Sequence, residues 1–270
     1  MAKEISVKNK FAIIGGGHIG CALAEGLICS GVRAEFITVS NPTMLRSDKL
    51  SKLGVRVTRD NNDAVRSAQW IFLAVKPTII PIVLEEIKQS AQDKIIVSLA
   101  AGVPTATLRA YVGGACLARI MPNMPITIGK GVIGFFAGNL SKKEWVELSK
   151  ILSKLGSVVR VKSESQLDAI TLISGCGPGI VAFLITALAE SAKTVGLSTK
   201  EADLVAQQTF TGTLAYLVHN GVSAEELMQS VATKNGVTEA ILADFVKRGL
   251  TKNFVHAIAV GSKRLKKLKK

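Results

Sequence analysis

The sequence predicts an α/β domain built on a parallel sheet over residues 1–163, followed by an all-helical domain over residues 164–270. Two observations lead to this fold class. In the first part, short apolar runs alternate with amphipathic segments of helical period, a pattern typical of parallel strands joined by helices. After residue 164 the sequence contains helical segments alone, which predicts a second domain.

The predicted elements follow in order along the chain. We expect strands at residues 11–14, 33–39, 55–58, 70–75, 94–99, 116–121, 132–137 and 156–161. We expect helices at residues 21–30, 45–53, 64–68, 79–89, 142–155, 177–195, 199–220, 224–231, 237–248 and from 251 into the tail. Because the run at 70–75 is almost continuously apolar, it predicts a parallel strand buried on both faces.

The turn after the first strand carries a glycine pattern. Gly15, Gly17 and Gly20 have the spacing G-x-G-x-x-G between an apolar strand and an amphipathic helix. Gly15 permits a tight turn, Gly17 leaves room for a pyrophosphate, and Gly20 permits close packing of helix on strand. The helix N-terminus offers N–H groups and partial positive charge to phosphates. We therefore expect a Rossmann-type domain that binds a dinucleotide.

The end of the second predicted strand indicates which dinucleotide binds. About twenty residues beyond the glycines, where an NAD site carries an acidic residue, the sequence has Ser40 and Asn41. Both can hydrogen-bond to a 2′-phosphate, and Arg46 can supply a positive charge. Glu35 lies too early in the strand to reach the ribose. The residues predict NADPH, with NADH as the alternative, and the same residues also form ordinary turns.

Composition argues against several classes of protein. With 48% hydrophobic and 20% charged residues, the chain is typical of globular proteins. Its four cysteines form no C-x-x-C or Cys/His cluster, and the N-terminus has no signal-peptide pattern. We therefore expect a protein of the reducing cytoplasm without a metal site.

Two segments could indicate membrane or nucleic-acid binding. The formal charge is +14, and six lysines and arginines crowd the last eight residues, where we expect a solvated, frayed end. We expect neither a membrane nor nucleic acid as a partner, with binding of a polyanion or a membrane surface by this tail as the alternative. The uncharged run at 169–189 is long enough to span a bilayer. Glycines and Pro178 near its start leave about half a span of unbroken helix, which predicts a buried helix instead.

Five motifs in register resemble those of the pyrroline-5-carboxylate reductase family. They are the glycine turn, Ala74-Val75-Lys76-Pro77, Met121-Pro122-Asn123-Met124-Pro125, Ser174-Gly175-Cys176-Gly177-Pro178 and Val231-Ala232-Thr233-Lys234-Asn235-Gly236-Val237-Thr238. Together they cover nearly the whole chain. The resemblance implies a Rossmann domain, a helical domain that interlocks with a second subunit, and NAD(P)H-dependent reduction of a cyclic imino acid to proline.

The resemblance also implies site residues, by matching position. It places the cofactor against Gly15, Gly16, Gly17, His18, Ile19, Gly20, Ser40, Asn61, Ala74, Val75, Lys76, Pro77, Leu99, Ala100 and Ala101. It places the substrate against Glu164, Gly236, Val237 and Thr238. A loop that ends at Gly236 and opens a helix can offer N–H groups to a carboxylate. The Thr238 hydroxyl can hydrogen-bond to an imine nitrogen, and the alternative is that Thr238 caps its own helix.

The sequence departs from the family pattern in this loop. Lys234 and Asn235 stand where the family usually has Pro-Gly, and Cys176 stands where it usually has serine. Because glycine permits backbone conformations that asparagine restricts, we expect a reshaped loop, with the Lys234 charge beside the substrate carboxylate.

The predicted mechanism depends on positioning, because a protonated imine accepts hydride without further acid–base chemistry. A 3-hydroxyacid dehydrogenase of similar architecture is a rival. It requires a lysine on the helix after Pro178, where the first lysine is Lys193, about four turns along. Two further rivals are a reductase of a related cyclic imine and a non-catalytic dinucleotide sensor.

Overall fold

The computed structural model describes residues 10–43 and 47–268, except for the side chain of Ser47. Its backbone contacts divide the chain into two compact units. Of the described residues, one unit contains those up to Pro178 and those from Ser262 to Leu268, and the other contains Gly179–Gly261. Residues 164–178 therefore belong to the same compact unit as the sheet. The predicted domain boundary after residue 163 was placed where the sequence pattern changes, and it stays a prediction.

The first unit is built on one eight-stranded sheet. Its strands are β1 (Phe11–Ile14), β2 (Ile37–Ser40), β3 (Arg56–Thr58), β4 (Trp70–Leu73), β5 (Ile95–Ser98), β6 (Cys116–Pro122), β7 (Gly131–Phe136) and β8 (Gly156–Arg160). The strand order is β3-β2-β1-β4-β5-β6-β7-β8, and all neighbours are parallel except the antiparallel pair β6 and β7. The direction of strand addition reverses between β1 and β4, which creates the switch point where ligands of such sheets bind.

Helices cover both faces of this sheet. They are α1 (His18–Cys29), α2 (Ser47–Lys52), α3 (Asn61–Arg66), α4 (Ile80–Ile87), α5 (Thr105–Val112), α6 (Lys142–Leu152) and α7 (Glu164–Ile170). Along β4, Trp70 and Phe72 enter one apolar core while Ile71 and Leu73 enter the other. The prediction that this run is a parallel strand buried on both faces is therefore confirmed.

Several predicted elements differ from the structure. The strand expected at 33–39 is wrong in its first half, because Ala34–Phe36 form a 3₁₀ turn. There Arg33 pairs with Glu35 at 2.9 Å and lies 4.2 Å from the ring centroid of Phe36. Helices α5 and α7 were not predicted. Their buried apolar residues, Leu108 and Val112 in α5 and Leu167 in α7, are too few to show a helical period.

The second unit is helical. Its helices are α8 (Gly177–Thr194), α9 (Thr199–Asn220), α10 (Ala224–Val231), α11 (Val237–Lys247) and most of α12 (Leu250–Lys267). Its buried core consists of three alanines, Ala189, Ala202 and Ala206, whereas large apolar side chains elsewhere are exposed. The predicted burial of 169–189 is wrong for the single chain: Ala189 is the only buried residue of α8, and Phe183 is 69% exposed.

Helix α8 begins at Gly177, as predicted, but the expectation that glycines and Pro178 leave only about half a span of helix is wrong. Thr171–Gly175 form a π-helical turn between α7 and α8, and Pro178 occupies the first turn of α8, where a missing N–H is tolerated. The resulting helical run, Glu164–Thr194, is long and apolar enough to cross a membrane by the criteria of length and composition alone.

Candidate active site

Three turns at the carboxyl edge of the sheet carry most of the predicted cofactor residues. They follow β1, β4 and β5, and contain Gly15–Gly20, Ala74–Pro77 and Leu99–Ala101. Backbone hydrogen bonds continue the strand ladder into each turn, from Gly15 N to Ser40 O at 2.8 Å, Ala74 N to Ile14 O at 2.8 Å and Leu99 N to Leu73 O at 3.0 Å. The turns are therefore held side by side at the switch point.

The glycine turn has the geometry that its pattern predicts. Gly15 has a φ of +108°, and a Cβ there would lie 2.7 Å from the Ala74 carbonyl oxygen. A Cβ at Gly20 would lie 1.9 Å from the Gly15 carbonyl oxygen, so only glycine fits. Gly17, the N-cap of α1, faces open space, and no described side chain caps the helix there. His18 and Ile19 are the first two residues of α1.

Asn41 fixes the shape of the glycine turn. Its Oδ1 accepts a hydrogen bond from Gly16 N at 3.1 Å, and its Nδ2 donates to the carbonyl of Thr43. Since both ends of the amide are used, Asn41 holds the turn rather than reaching outward. Arg46, the predicted positive charge, lies outside the described residues.

Ser40 is 1% exposed, and its hydroxyl donates to Asn61 Oδ1 at 2.7 Å. The Asn61 amide in turn donates to Glu86 Oε2 at 2.7 Å. In this arrangement Ser40 offers acceptor lone pairs, which a phosphate, itself an acceptor, cannot use. The Ser40 hydroxyl hydrogen is therefore used by Asn61 and not by a phosphate, and a direct cofactor contact by Ser40 or Asn61 stays a prediction.

Glu164 is the first residue of α7, and its carboxylate is already engaged. Oε1 accepts from the backbone N–H of Thr105 at 2.7 Å and from Arg119 Nη1 at 3.1 Å. Arg119 is 2% exposed and also donates from Nη2 to the carbonyl of Ala100 at 3.2 Å. The structure thus connects Glu164 with the turn Leu99–Ala101. Sequence reasoning missed Arg119, although a single charge inside the otherwise apolar run predicted as a strand at 116–121 was an available signal.

The other predicted substrate residues lie in the second unit. Gly236 is the N-cap of α11, and a Cβ there would lie 2.5 Å from Thr233 Oγ1. Asn235 has a φ of 58°, a value that glycine favours and asparagine tolerates. Its N–H donates to Glu239 Oε2 at 2.6 Å. Replacing glycine by Asn235 therefore does not by itself require the reshaped loop that we expected.

Val237 and Thr238 are the first two residues of α11. Val237 is exposed and Thr238 half-buried. Across residues 10–43 and 47–268, the Thr238 hydroxyl forms no hydrogen bond, and no side chain caps α11 at Gly236. This disfavours the alternative that Thr238 caps its own helix. Within the same ranges, no group of three or more His, Cys, Asp or Glu residues could hold a metal ion.

Comparison with known proteins decides the family. Residues 164–268 match the model of the pyrroline-5-carboxylate reductase dimerisation domain, and residues 10–102 match a model described as NADP oxidoreductase, coenzyme F420-dependent. The pyrroline-5-carboxylate reductase of Methanosarcina acetivorans is 34% identical over 97% of this chain and 98% of its own length. The chain belongs to the pyrroline-5-carboxylate reductase family.

Other pyrroline-5-carboxylate reductases agree with this assignment. That of Pseudomonas aeruginosa is 30% identical over 94% of this chain and 95% of its own length. A solved pyrroline-5-carboxylate reductase from Coxiella burnetii has a TM-score of 0.87 and 31% identity, with 97% of this chain and 99% of that one covered. A Plasmodium falciparum pyrroline carboxylate reductase solved with NADP bound has a TM-score of 0.89 at 23% identity, and at that identity it supports the fold alone. The predicted fold class, a Rossmann-type domain followed by a helical dimerisation domain, is confirmed.

The two glycines of the turn should respond differently to alanine. Gly20→Ala forces a methyl group against the Gly15 carbonyl, so we expect a loss of about 1–3 kcal/mol or more in the free energy of unfolding. Gly17→Ala adds a methyl group in open space and should cost less than about 1 kcal/mol, while weakening dinucleotide binding. Denaturant unfolding and NADPH titration check both. Equal stability of the two variants would contradict the packing argument.

Proposed function

We propose that this protein reduces 1-pyrroline-5-carboxylate to L-proline with NADPH, in proline biosynthesis. The proposal rests chiefly on one observation: an uncapped helix N-terminus lies behind an open glycine turn at the switch point of the sheet. The similarity to pyrroline-5-carboxylate reductases over nearly the whole chain supports the choice of substrate.

The turns at the sheet edge fit the cofactor. The open side of Gly17 and the N-terminus of α1 can accept the pyrophosphate, while Asn41 holds Gly16 in place. The small side chains of Ala100 and Ala101 let a flat ring approach the backbone of the turn after β5. When bound there, NADPH would supply the hydride, and the residues of these three turns would hold and orient its nicotinamide ring.

Thr238 is the residue that we assign to catalysis. Its hydroxyl is free of other described partners and can hydrogen-bond to the imine nitrogen as its charge changes. The N–H groups that begin α11, at Val237 and Thr238, can bind a carboxylate. Glu164, whose Oε1 already accepts from Thr105 and Arg119, keeps a second oxygen that can accept a hydrogen bond from a substrate.

A related cyclic imino acid is the second candidate substrate, because Lys234 adds an exposed positive charge to the loop before α11. NADPH oxidation with the five-membered imine and with its six-membered homologue separates the two candidates. Turnover of neither, together with tight NADPH binding, would instead indicate a dinucleotide sensor.

We further place the protein in the cytoplasm, as a homo-oligomer of at least two copies that binds neither membrane nor nucleic acid. Four free thiols agree with a reducing compartment. The charged residues and capped helix ends of α9 and α10 suit water rather than lipid.

NADPH should bind more tightly than NADH. If Arg46 pairs with the 2′-phosphate, Arg46→Ala should weaken NADPH binding about tenfold or more and leave NADH binding nearly unchanged. Lys52→Ala, which removes an exposed charge from α2, is the matched control. Tighter NADH binding by the wild-type protein would contradict the cofactor assignment.

The active protein should be a stable oligomer, because the exposed apolar side chains of the second unit exceed what its alanine core covers. Phe183→Asp should dissociate it, whereas Ile82→Asp, at a 65% exposed site on α4, should not. Light scattering at micromolar concentration measures both. A monomer that keeps full activity would end this proposal.

Thr238→Ala should lower turnover about 10- to 100-fold, equivalent to about 1.4–2.8 kcal/mol, with little change in NADPH affinity. Thr238→Ser keeps the hydroxyl and should remain largely active. If Thr238 only capped its helix, Thr238→Ala would cost about 1 kcal/mol of stability and leave turnover intact. Steady-state kinetics and melting curves on both variants decide, and a fully active but less stable Thr238→Ala removes the residue from the site.

A further inference from the structure

Arg119 is the one buried charged residue within residues 10–43 and 47–268. It lies in the middle of β6, opposite Ser98 of β5. Moving a guanidinium out of water is costly unless its hydrogen bonds are replaced, and an apolar side chain commonly fills such a position at lower cost. The buried charge therefore calls for an explanation other than stability.

The contacts of Arg119 all lie in the first unit and join three of its segments. Nη1 donates to Glu164 Oε1 at the start of α7, and Nη2 donates to the carbonyl of Ala100. The same Oε1 accepts from the N–H of Thr105, which begins α5. Arg119 thus bridges the turn after β5, the start of α5 and the start of α7.

The two hydrogen bonds of Arg119 leave one of its nitrogens, Nε, without a partner among the described residues. This buried, unpaired nitrogen adds a desolvation cost to the buried charge. Stability alone does not account for a buried guanidinium at this position, because an apolar side chain would avoid its desolvation cost. What the guanidinium provides here is geometry, because its planar fork spaces two donors rigidly, as the flexible ammonium of lysine cannot.

We propose that Arg119 is a positioning residue for hydride transfer, which locks the turn Leu99–Ala101 to Glu164. This inference rests on the proposed function, in which that turn lies against the nicotinamide and Glu164 contacts the substrate. Arg119 acts through Ala100 and Glu164 and touches neither ligand. Since a misplacement of about 1 Å can cost about 100-fold in rate, losing the bridge lowers turnover more than binding.

Arg119→Met and Arg119→Lys test the bridge, with Arg109→Met on the exposed side of α5 as the matched loss of an arginine. We expect both Arg119 variants to lose about 10- to 100-fold in kcat, with the KM for substrate and the Kd for NADPH changed less than about threefold. Arg109→Met stays at the wild-type level. Wild-type kcat in either Arg119 variant, or a loss matching the unfolded fraction, overturns the proposal.

Chemical rescue gives a second measurement. In Arg119→Ala, added guanidinium at low millimolar concentration can enter the vacated site, and we expect it to raise kcat several-fold, whereas sodium chloride at equal ionic strength does not. Absence of rescue in a folded Arg119→Ala protein counts against the proposal. If no Arg119 variant folds, the residue is purely structural and the proposal is overturned.

A readout without turnover separates this inference from the proposed function. Wild-type protein that binds NADPH but does not reduce 1-pyrroline-5-carboxylate would defeat the proposed substrate alone. The fluorescence of bound NADPH, which reports the surroundings of the nicotinamide, should still differ between Arg119→Met and wild type. It should be unchanged in Arg109→Met, and identical emission from all three proteins overturns the positioning role.

Discussion

Helix α1 begins so close to the end of β1 that no side chain fits between them. A methyl group on Gly20 would lie 1.9 Å from the Gly15 carbonyl oxygen, and one on Gly15 would meet the carbonyl of Ala74. This approach sets the helix N-terminus at the sheet edge, beside the turns after β4 and β5. Asn41 holds Gly16 from the neighbouring strand end, so contacts within the chain fix the shape of the turn. A turn fixed in this way lowers the entropic cost of binding a ligand.

A buried residue of the sheet, Arg119, holds the turn after β5 in the candidate site. Arg119 extends from an apolar strand to a carbonyl in the turn after β5 and to the Glu164 carboxylate. Glu164 belongs to the sequence region that matches the dimerisation domain, yet its contacts here are with the sheet unit. Glu164, which we predict to contact the substrate, is therefore connected through Arg119 to the turn Leu99–Ala101, which we predict to contact the cofactor. A substitution in Glu164 or in this turn is expected to affect the binding of both ligands.

The elements that sequence predicts well are those with a strong local pattern. The buried strands and the glycine turn follow from apolar runs and from spacing, and β1, β4 and β5 lie where they were expected. The short helices α5 and α7 lack such a pattern. The donor of Ser40 is committed to Asn61, 21 residues away, and Arg119 meets Glu164 across 45 residues. Contacts at such separations depend on the folded topology, which no local pattern specifies.

The prediction that α8 is buried is not met within the single chain, and the physical reason is a different one. Its apolar composition predicted burial, but the single chain leaves it largely exposed, and the same composition satisfies the criteria for a membrane span. The neighbouring helices α9 and α10 indicate whether lipid or protein covers α8. Helices α9 and α10 begin with capping boxes, Ser198 with Glu201 and Ser223 with Glu226, whose charged groups are exposed. Hydrocarbon cannot solvate such helix ends, whereas a protein surface can cover α8 and leave them in water. The apolar face of α8 therefore favours another protein surface as its partner.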